Sequence, residues 1–122
     1  MSHKILVVDD EPDLELLIKQ KFRKEIKDDS FQFVFAQNGV QALERLEEHE
    51  DVSVVLSDIN MPGMTGLELL RTVKEHFGHL RVCMITAYSD ENNYNTAMQY
   101  GADEYITKPL DFEKLKKNVL AL

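Results

Sequence analysis

Residues 54–63 read Val54-Val55-Leu56-Ser57-Asp58-Ile59-Asn60-Met61-Pro62-Gly63, and they predict the central element of the fold. Three consecutive apolar residues lead to a single carboxylate, and a Pro-Gly pair then interrupts the chain. A strand that is buried on both faces is continuously apolar, and Pro-Gly is typical of a loop. The stretch therefore predicts a buried parallel strand that carries Asp58 at its carboxyl end, where α/β sheets bind their ligands.

Four further strands are predicted around this one. Residues 4–8 and 80–85 are also strongly apolar, whereas residues 31–36 and 103–107 are more polar and belong at the edges of a sheet. Helical patterns alternate with the strands, which predicts a doubly wound α/β fold with right-handed crossovers. We expect a flavodoxin-like (βα)5 domain over residues 1–122, whose five-stranded parallel sheet has the order 2-1-3-4-5.

The apolar spacing also predicts the buried faces of the helices. The first helix should bury Leu14, Leu17, Ile18, Phe22 and Ile26, and the second should bury Val40, Leu43 and Leu46. Thr65 and Glu68 form a predicted capping box, and Gly101 is a predicted helix stop. The helix through Tyr94 is rich in asparagine and should be the least firmly packed, and a last helix is predicted from Asp111 to Leu122.

Composition excludes several classes of protein. The 122 residues carry 14 basic and 22 acidic side chains, a formal net charge of −8, which disfavours direct contact with nucleic acid or an anionic membrane. The single Cys83 rules out an internal disulfide and is expected to fill the core. No signal-peptide pattern and no apolar run of membrane-spanning length is present, so we expect a cytoplasmic protein.

Polar side chains follow four of the predicted strands. Asp9 and Asp10 follow the first strand, Asp58 the third, Thr86 the fourth and Lys108 the fifth. In the order 2-1-3-4-5 these strand ends converge on one crevice. Three carboxylates at close range repel one another, and Lys108 offsets only one charge. Oxygen ligands without nearby His or Cys favour a hard cation, so the sequence predicts a Mg²⁺ site that awaits a phosphoryl group.

Asp58 is the candidate nucleophile of this crevice. A carboxylate can form an aspartyl phosphate, and Asp58 stands between the two acids and the Thr86/Lys108 pair. Phosphoryl transfer depends mainly on in-line positioning and on neutralising the phosphoryl oxygens. Mg²⁺, the Thr86 hydroxyl and the Lys108 ammonium are suited to that task.

Four motifs resemble receiver domains of two-component response regulators, over almost the whole chain. They are Val7-Val8-Asp9-Asp10-Glu11, Ser57-Asp58-Ile59-Asn60-Met61-Pro62-Gly63-Met64-Thr65-Gly66, Ile85-Thr86-Ala87-Tyr88, and Gly101-Ala102-Asp103-Glu104-Tyr105-Ile106-Thr107-Lys108-Pro109.

The resemblance implies a role for each site residue. Asp58 would accept phosphate from a phosphohistidine of a sensor histidine kinase or phosphotransfer protein. The implied Mg²⁺ ligands are Asp10, Asp58 and the Asn60 backbone carbonyl, with Asp9 holding the ion or its water. Thr86 and Lys108 would bind the phosphoryl oxygens, Tyr105 would be the switch aromatic, and the Lys108–Pro109 peptide would be cis. Asn60 and Tyr88 are expected to influence the lifetime of the phosphate.

The protein is accordingly expected to be a switch and not an enzyme with a free substrate. Phosphate on Asp58 would draw Thr86 toward it and let Tyr105 turn inward. The responding surface would be the fourth predicted helix, the fifth strand and the fifth helix, which could also form a homodimer. Tyr105 remains open to a simpler interpretation, as an edge aromatic that only packs.

Two other functions stay open, and a third is disfavoured. A haloacid-dehalogenase-like phosphatase also uses an aspartate nucleophile, but its second Asp would stand where this chain has Asn60. A non-phosphorylated interaction module with the same fold is the other alternative. A nucleotide-binding oxidoreductase would need a glycine-rich turn after the first strand, whereas residues 9–13 are acidic.

Overall fold

A computed structural model describes residues 3–87 and 90–117. Its five strands are β1 His3–Val8, β2 Phe31–Ala36, β3 Val52–Asp58, β4 Arg81–Thr86 and β5 Glu104–Thr107. They form one parallel sheet in the order β2-β1-β3-β4-β5. The predicted flavodoxin-like fold is confirmed, and the two more polar strands lie at the edges.

The helices in the described ranges are α1 Pro12–Lys21, α2 Arg23–Lys27, α3 Gly39–Glu48, α4 Gly66–His76, α5 Glu91–Gln99 and α6 Phe112–Leu115. Side-chain oxygens of Asn38, Thr65, Asp90 and Asp111 accept hydrogen bonds from backbone N–H groups in the first turns of α3 to α6. Such N-caps satisfy donors that have no partner inside the helix. Residues 118–122 of the predicted last helix lie outside the described residues.

The sheet has an apolar core on each face. Leu6, Val55 and Met84 belong to a cluster with residues of α3, α4 and α5. On the other face, Ile5 and Leu56 belong to a cluster with residues of α1 and α6. Successive side chains of a strand point to opposite faces, so a strand covered on both sides must be apolar throughout. This requirement explains the continuous apolar runs of β1, β3 and β4.

Cys83 lies in the core, as expected. It is a free, buried cysteine in the middle of β4. Burial raises the pKa of its thiol to about 12, so the thiol stays protonated and unreactive at neutral pH.

The first helical stretch differs from the prediction. It breaks at Phe22, where ψ is 23°, and α2 begins at the next residue. The Phe22 ring is fully buried and packs against the rings of Phe31, Phe33 and Phe112 at centroid distances of 5.9, 5.3 and 6.0 Å. One residue of the break is therefore anchored in an aromatic cluster that joins β2 to α6.

Three residues predicted to be buried are exposed instead. The exposed fractions are 42% for Leu17, 37% for Ile26 and 60% for Val40. Helical spacing predicts which residues share a face, but the packing of the other elements decides how wide a stripe is covered. The helix that was predicted to be the least firmly packed is α5, and Ala97 is its only buried residue.

No described helix combines the length and the apolar character needed to cross a membrane.

Candidate functional site

The register of the sheet brings the predicted site residues to one edge. Asp58 pairs with Ile85 and Val8 with Ser57, so β1, β3 and β4 end at nearly the same level. Thr86 pairs with Thr107, which places Lys108 just beyond the next strand. Parallel strands end on the same side, and their carboxyl ends therefore form a common crevice.

Two glycines shape the loop after Asp58, one by its backbone conformation and one by a close approach to the backbone of β3. Gly63 adopts a φ of +77°, a conformation that residues with a side chain rarely adopt. The Gly66 N–H donates to the Ile59 carbonyl at 2.8 Å. A Cβ atom on Gly66 would lie 2.0 Å from the Asp58 carbonyl oxygen, so α4 begins in direct contact with the backbone of the central strand.

Three carboxylates converge in the crevice. One oxygen each of Asp9, Asp10 and Asp58 lies within 4.8 Å of the other two. Asp9 and Asp58 are buried, at 7% and 8% exposure, whereas Asp10 is exposed. Backbone N–H groups hold the two buried ones: Glu11 donates to Asp9 at 2.9 Å, and Asn60 donates to Asp58 at 3.2 Å.

Lys108 bridges two of these acids. Its Nζ lies 3.3 Å from Asp9 Oδ2 and 3.2 Å from Asp58 Oδ2. Burial of the ammonium lowers the pKa of Lys108, but the hydrogen bond and charge of Asp58, with those of Asp9, outweigh it and raise the pKa. Burial also raises the pKa of Asp9, although the hydrogen bond from Glu11 and the charge of Lys108 lower it in part. The sequence predicted that Lys108 offsets one charge, and the structure shows it shared between two.

Thr86 and the cis peptide complete this side of the crevice. Thr86 is fully buried, and its carbonyl accepts a hydrogen bond from the Lys108 backbone N–H at 2.8 Å. The Lys108–Pro109 peptide is cis, as the resemblance implied. Tyr88 lies outside the described residues.

Tyr105 lies on β5, the strand beside the one that ends in Thr86. Its ring is half-buried and contacts the Tyr94 ring edge to face, at a centroid distance of 5.2 Å and an interplanar angle of 87°. The sequence analysis gave Tyr94 no functional role, because nothing in its spacing indicates the ring contact with Tyr105.

An apolar groove, here called the α1 groove, opens beside the acids. Its cavity has a volume of about 470 Å³ and is lined by Asp9, Glu11, Asp13, Leu14, Leu17, Lys108, Pro109, Leu110 and Phe112. The sequence analysis missed this groove, because it is formed by two segments that are about 95 residues apart in the chain.

The donor set determines which ion the crevice can hold. The three clustered groups are carboxylates, and carboxylate and carbonyl oxygens suit hard divalent cations rather than zinc or copper. The residues present therefore fit a hard metal ion next to Asp58, and the Lys108 ammonium lies between Asp9 and Asp58.

Comparisons with known proteins agree with this geometry. Residues 5–120 match the response regulator receiver domain family. The chain is 34% identical to sporulation initiation phosphotransferase F of Bacillus subtilis over 119 residues, 98% of this chain and 92% of that protein. It is also 34% identical to chemotaxis protein CheY of Bacillus subtilis over 116 residues, 94% of this chain and 92% of that protein.

A solved structure is similar as well. The crystal structure of response regulator protein TrrA from Thermotoga maritima, in complex with Mg²⁺-BeF, superimposes with a TM-score of 0.81 at 32% identity. The match covers 97% of this chain and 96% of that one.

Proposed function

Because the chain belongs to the response regulator receiver domain family of two-component systems, we propose that Asp58 accepts a phosphoryl group from a phosphohistidine of a partner protein. One observation carries the proposal. The Asp58 carboxylate lies at the carboxyl end of the central strand β3, where it clusters with two further acids and has Lys108 Nζ 3.2 Å away.

The surroundings of Asp58 suit a nucleophilic carboxylate. The hydrogen bond from the Asn60 N–H to Oδ1 fixes the orientation of the group, while Oδ2 faces Lys108. Oriented groups lower the barrier to phosphoryl transfer by removing the need to reorganise during the reaction. Lys108 and the Thr86 hydroxyl would bind the oxygens of the incoming phosphoryl group.

Mg²⁺ is the cation that we propose for the acidic cluster. Asp10, Asp58 and the Asn60 carbonyl would hold it, and Asp9 would hold the ion or its bound water. When bound, Mg²⁺ neutralises charge on the phosphoryl oxygens. The TrrA structure, whose complex contains Mg²⁺-BeF, supports this choice.

Mg²⁺ should raise the melting temperature of the wild type, because it binds the folded carboxylate cluster and not the unfolded chain.

Asp9→Asn should have a higher melting temperature than the wild type in EDTA, and Mg²⁺ should raise its melting temperature much less. In the wild type, burial raises the pKa of the Asp9 carboxyl group, so the ionised carboxylate lowers stability at neutral pH. This loss of stability disappears as the pH falls through the raised pKa. Calorimetry in EDTA and in MgCl₂ measures both shifts.

Asp13→Asn is the matched control, since Asp13 is an exposed acid outside the clustered carboxylates. It should melt like the wild type in both buffers. An Asp9→Asn protein that gains as much from Mg²⁺ as the wild type would remove Asp9 from the proposed metal site.

The protein would act as a switch and not as an enzyme that turns over a free substrate. Phosphate on Asp58 adds negative charge and acceptor oxygens, which would draw Thr86 toward it and favour the inward position of the Tyr105 ring over the outward one. The surface that responds would be α5, β5 and α6. Homodimer formation through that surface stays a prediction.

Beryllofluoride with Mg²⁺, an analogue of the bound phosphoryl group, should therefore shift backbone amide resonances on α5 and β5 as well as those around Asp58. The shifts arise because Thr86 and Tyr105 lie on neighbouring strands and connect the crevice to that surface. Two-dimensional ¹H–¹⁵N NMR measures them residue by residue. Shifts confined to the crevice would disprove the switch while leaving phosphoryl binding intact.

We propose the α1 groove as the docking surface for the phosphohistidine donor. The groove adjoins Asp9 and Lys108 and has Leu17, 42% exposed, at its border. A partner that seats an apolar helix face there would place its histidine near Asp58. Packing within the described part of the chain leaves the Leu17 side chain 42% exposed, so it does not explain why this position is apolar.

Leu17→Glu should slow phosphoryl transfer from a phosphohistidine protein about tenfold or more, because a charge would enter an apolar interface. Transfer from acetyl phosphate, which needs no docking surface, should keep its rate. Radiolabel transfer under both conditions separates docking from chemistry.

Ile26→Glu serves as the control, because Ile26 is a similarly exposed apolar residue on α2, outside the groove. It should accept phosphate from both donors at the wild-type rate. Equal loss in the two variants would argue against a docking role for the groove.

A further inference from the structure

Tyr105 carries an unexplained polar group. Its hydroxyl oxygen is buried and has no hydrogen-bond partner among the residues that the structure describes. Burial raises the pKa of Tyr105, and the charge of Asp90 adds to the effect, so the hydroxyl is a protonated donor. A buried donor without an acceptor is unfavourable, because it has lost its hydrogen bonds to water. Packing of the ring must therefore favour the observed position of Tyr105.

Tyr94 contributes to that packing, together with the core cluster on the same face of the sheet. Its ring meets the Tyr105 ring edge to face at 5.2 Å, the geometry that aromatic pairs prefer. Tyr94 is 46% exposed, so it does not serve as an ordinary core residue. In α5, where only Ala97 is buried, this ring contact also joins the helix to β5.

We propose that Tyr94 is a positioning residue for Tyr105: its ring holds the Tyr105 ring with the hydroxyl buried and thereby sets the balance between the two ring positions of the switch. The ring contact stands on the structure alone, and only its link to signalling rests on the proposed function. The ring contact of Tyr94 is with Tyr105, which lies on the strand beside the one that ends in Thr86, so we expect Tyr94 to act on the site through Tyr105.

Coupling makes the proposal quantitative. We identify the observed ring position, in which the hydroxyl is buried, as the inward one. If phosphate on Asp58 favours this position, then a residue that favours it as well must tighten binding of a phosphoryl analogue by the same factor. An edge-to-face pair is expected to change such an equilibrium by about two- to tenfold.

The test uses the full chain labelled with 3-fluorotyrosine, with the Tyr105 signal assigned from Tyr105→Phe. In Tyr94→Leu, which keeps an apolar side chain but removes the ring, the ¹⁹F signal of Tyr105 should move toward that of a solvent-exposed tyrosine. The apparent dissociation constant for beryllofluoride in Mg²⁺ should rise about two- to tenfold. Tyr94→Phe, which retains the ring, should restore both values to those of the wild type.

Each other result contradicts the inference. An unchanged Tyr105 signal in Tyr94→Leu would show that Tyr94 does not hold the ring. A moved signal with an unchanged dissociation constant would show that the contact is not coupled to the site. If the wild type does not bind beryllofluoride at all, the proposed function fails instead, and the ¹⁹F comparison without ligand still tests the ring contact.

Discussion

Asp58→Asn should abolish labelling of the protein by a small-molecule phosphodonor such as acetyl phosphate. An amide has no free carboxylate oxygen with which to form an acyl phosphate, so the loss should be complete rather than partial. The backbone around residue 58 should be unchanged, because an asparagine oxygen can still accept the hydrogen bond from the Asn60 N–H. Intact-mass spectrometry after incubation with donor and Mg²⁺ gives the fraction labelled.

Asp13→Asn is again the control, and it should be labelled at the wild-type rate. The label on the wild type should be lost on treatment with hydroxylamine, which cleaves acyl phosphates. Persistent labelling of Asp58→Asn would place the acceptor elsewhere. Continuous turnover of free phosphate esters by the wild type would revive the phosphatase alternative.

Gly66→Ala should destabilise the protein by about 3 kcal/mol or more, a large share of the roughly 5–15 kcal/mol that stabilises a typical domain. The new Cβ would lie 2.0 Å from the Asp58 carbonyl oxygen and 2.7 Å from the Ile59 Cα. Both atoms belong to the backbone of the strand and loop that position the acceptor, so neither can yield without disturbing the site. Urea unfolding followed by circular dichroism measures the change.

Gly78→Ala is a matched control in the loop after the same helix. Its Cβ would meet only the Lys74 carbonyl oxygen, at 3.2 Å, so the change in unfolding free energy should stay within about 1 kcal/mol. A Gly66→Ala protein with the unfolding midpoint of the wild type would mean that α4 can move away from β3 at little cost.

The fold and most of the site could be predicted because local signals agreed with the global arrangement. Strands β1, β3 and β4 are apolar throughout because both of their faces are covered. The polar edge strands then left one plausible order, and the residues that follow the strand ends had to meet. Thr65 was recognised as a helix cap from short-range spacing alone, and the structure confirms it.

The burial of individual helix residues was less predictable. Val40 lies on the expected helix face but is 60% exposed, because none of the described elements packs over that part of α3. The break at Phe22 was missed for a related reason. Its cause lies in the aromatic partners Phe31, Phe33 and Phe112, two of which are contributed by an edge strand and one by a distant helix.

The strand order and the position of Asp58, Thr86 and Lys108 at the ends of their strands could be read from the sequence. These follow from hydrophobic pattern and chain direction, which are properties of short segments. Two contacts are visible only in the folded protein: Lys108 is shared between Asp9 and Asp58, and Tyr94 packs against Tyr105. Both depend on side chains from separate segments meeting within a few ångströms, a distance that no local pattern encodes.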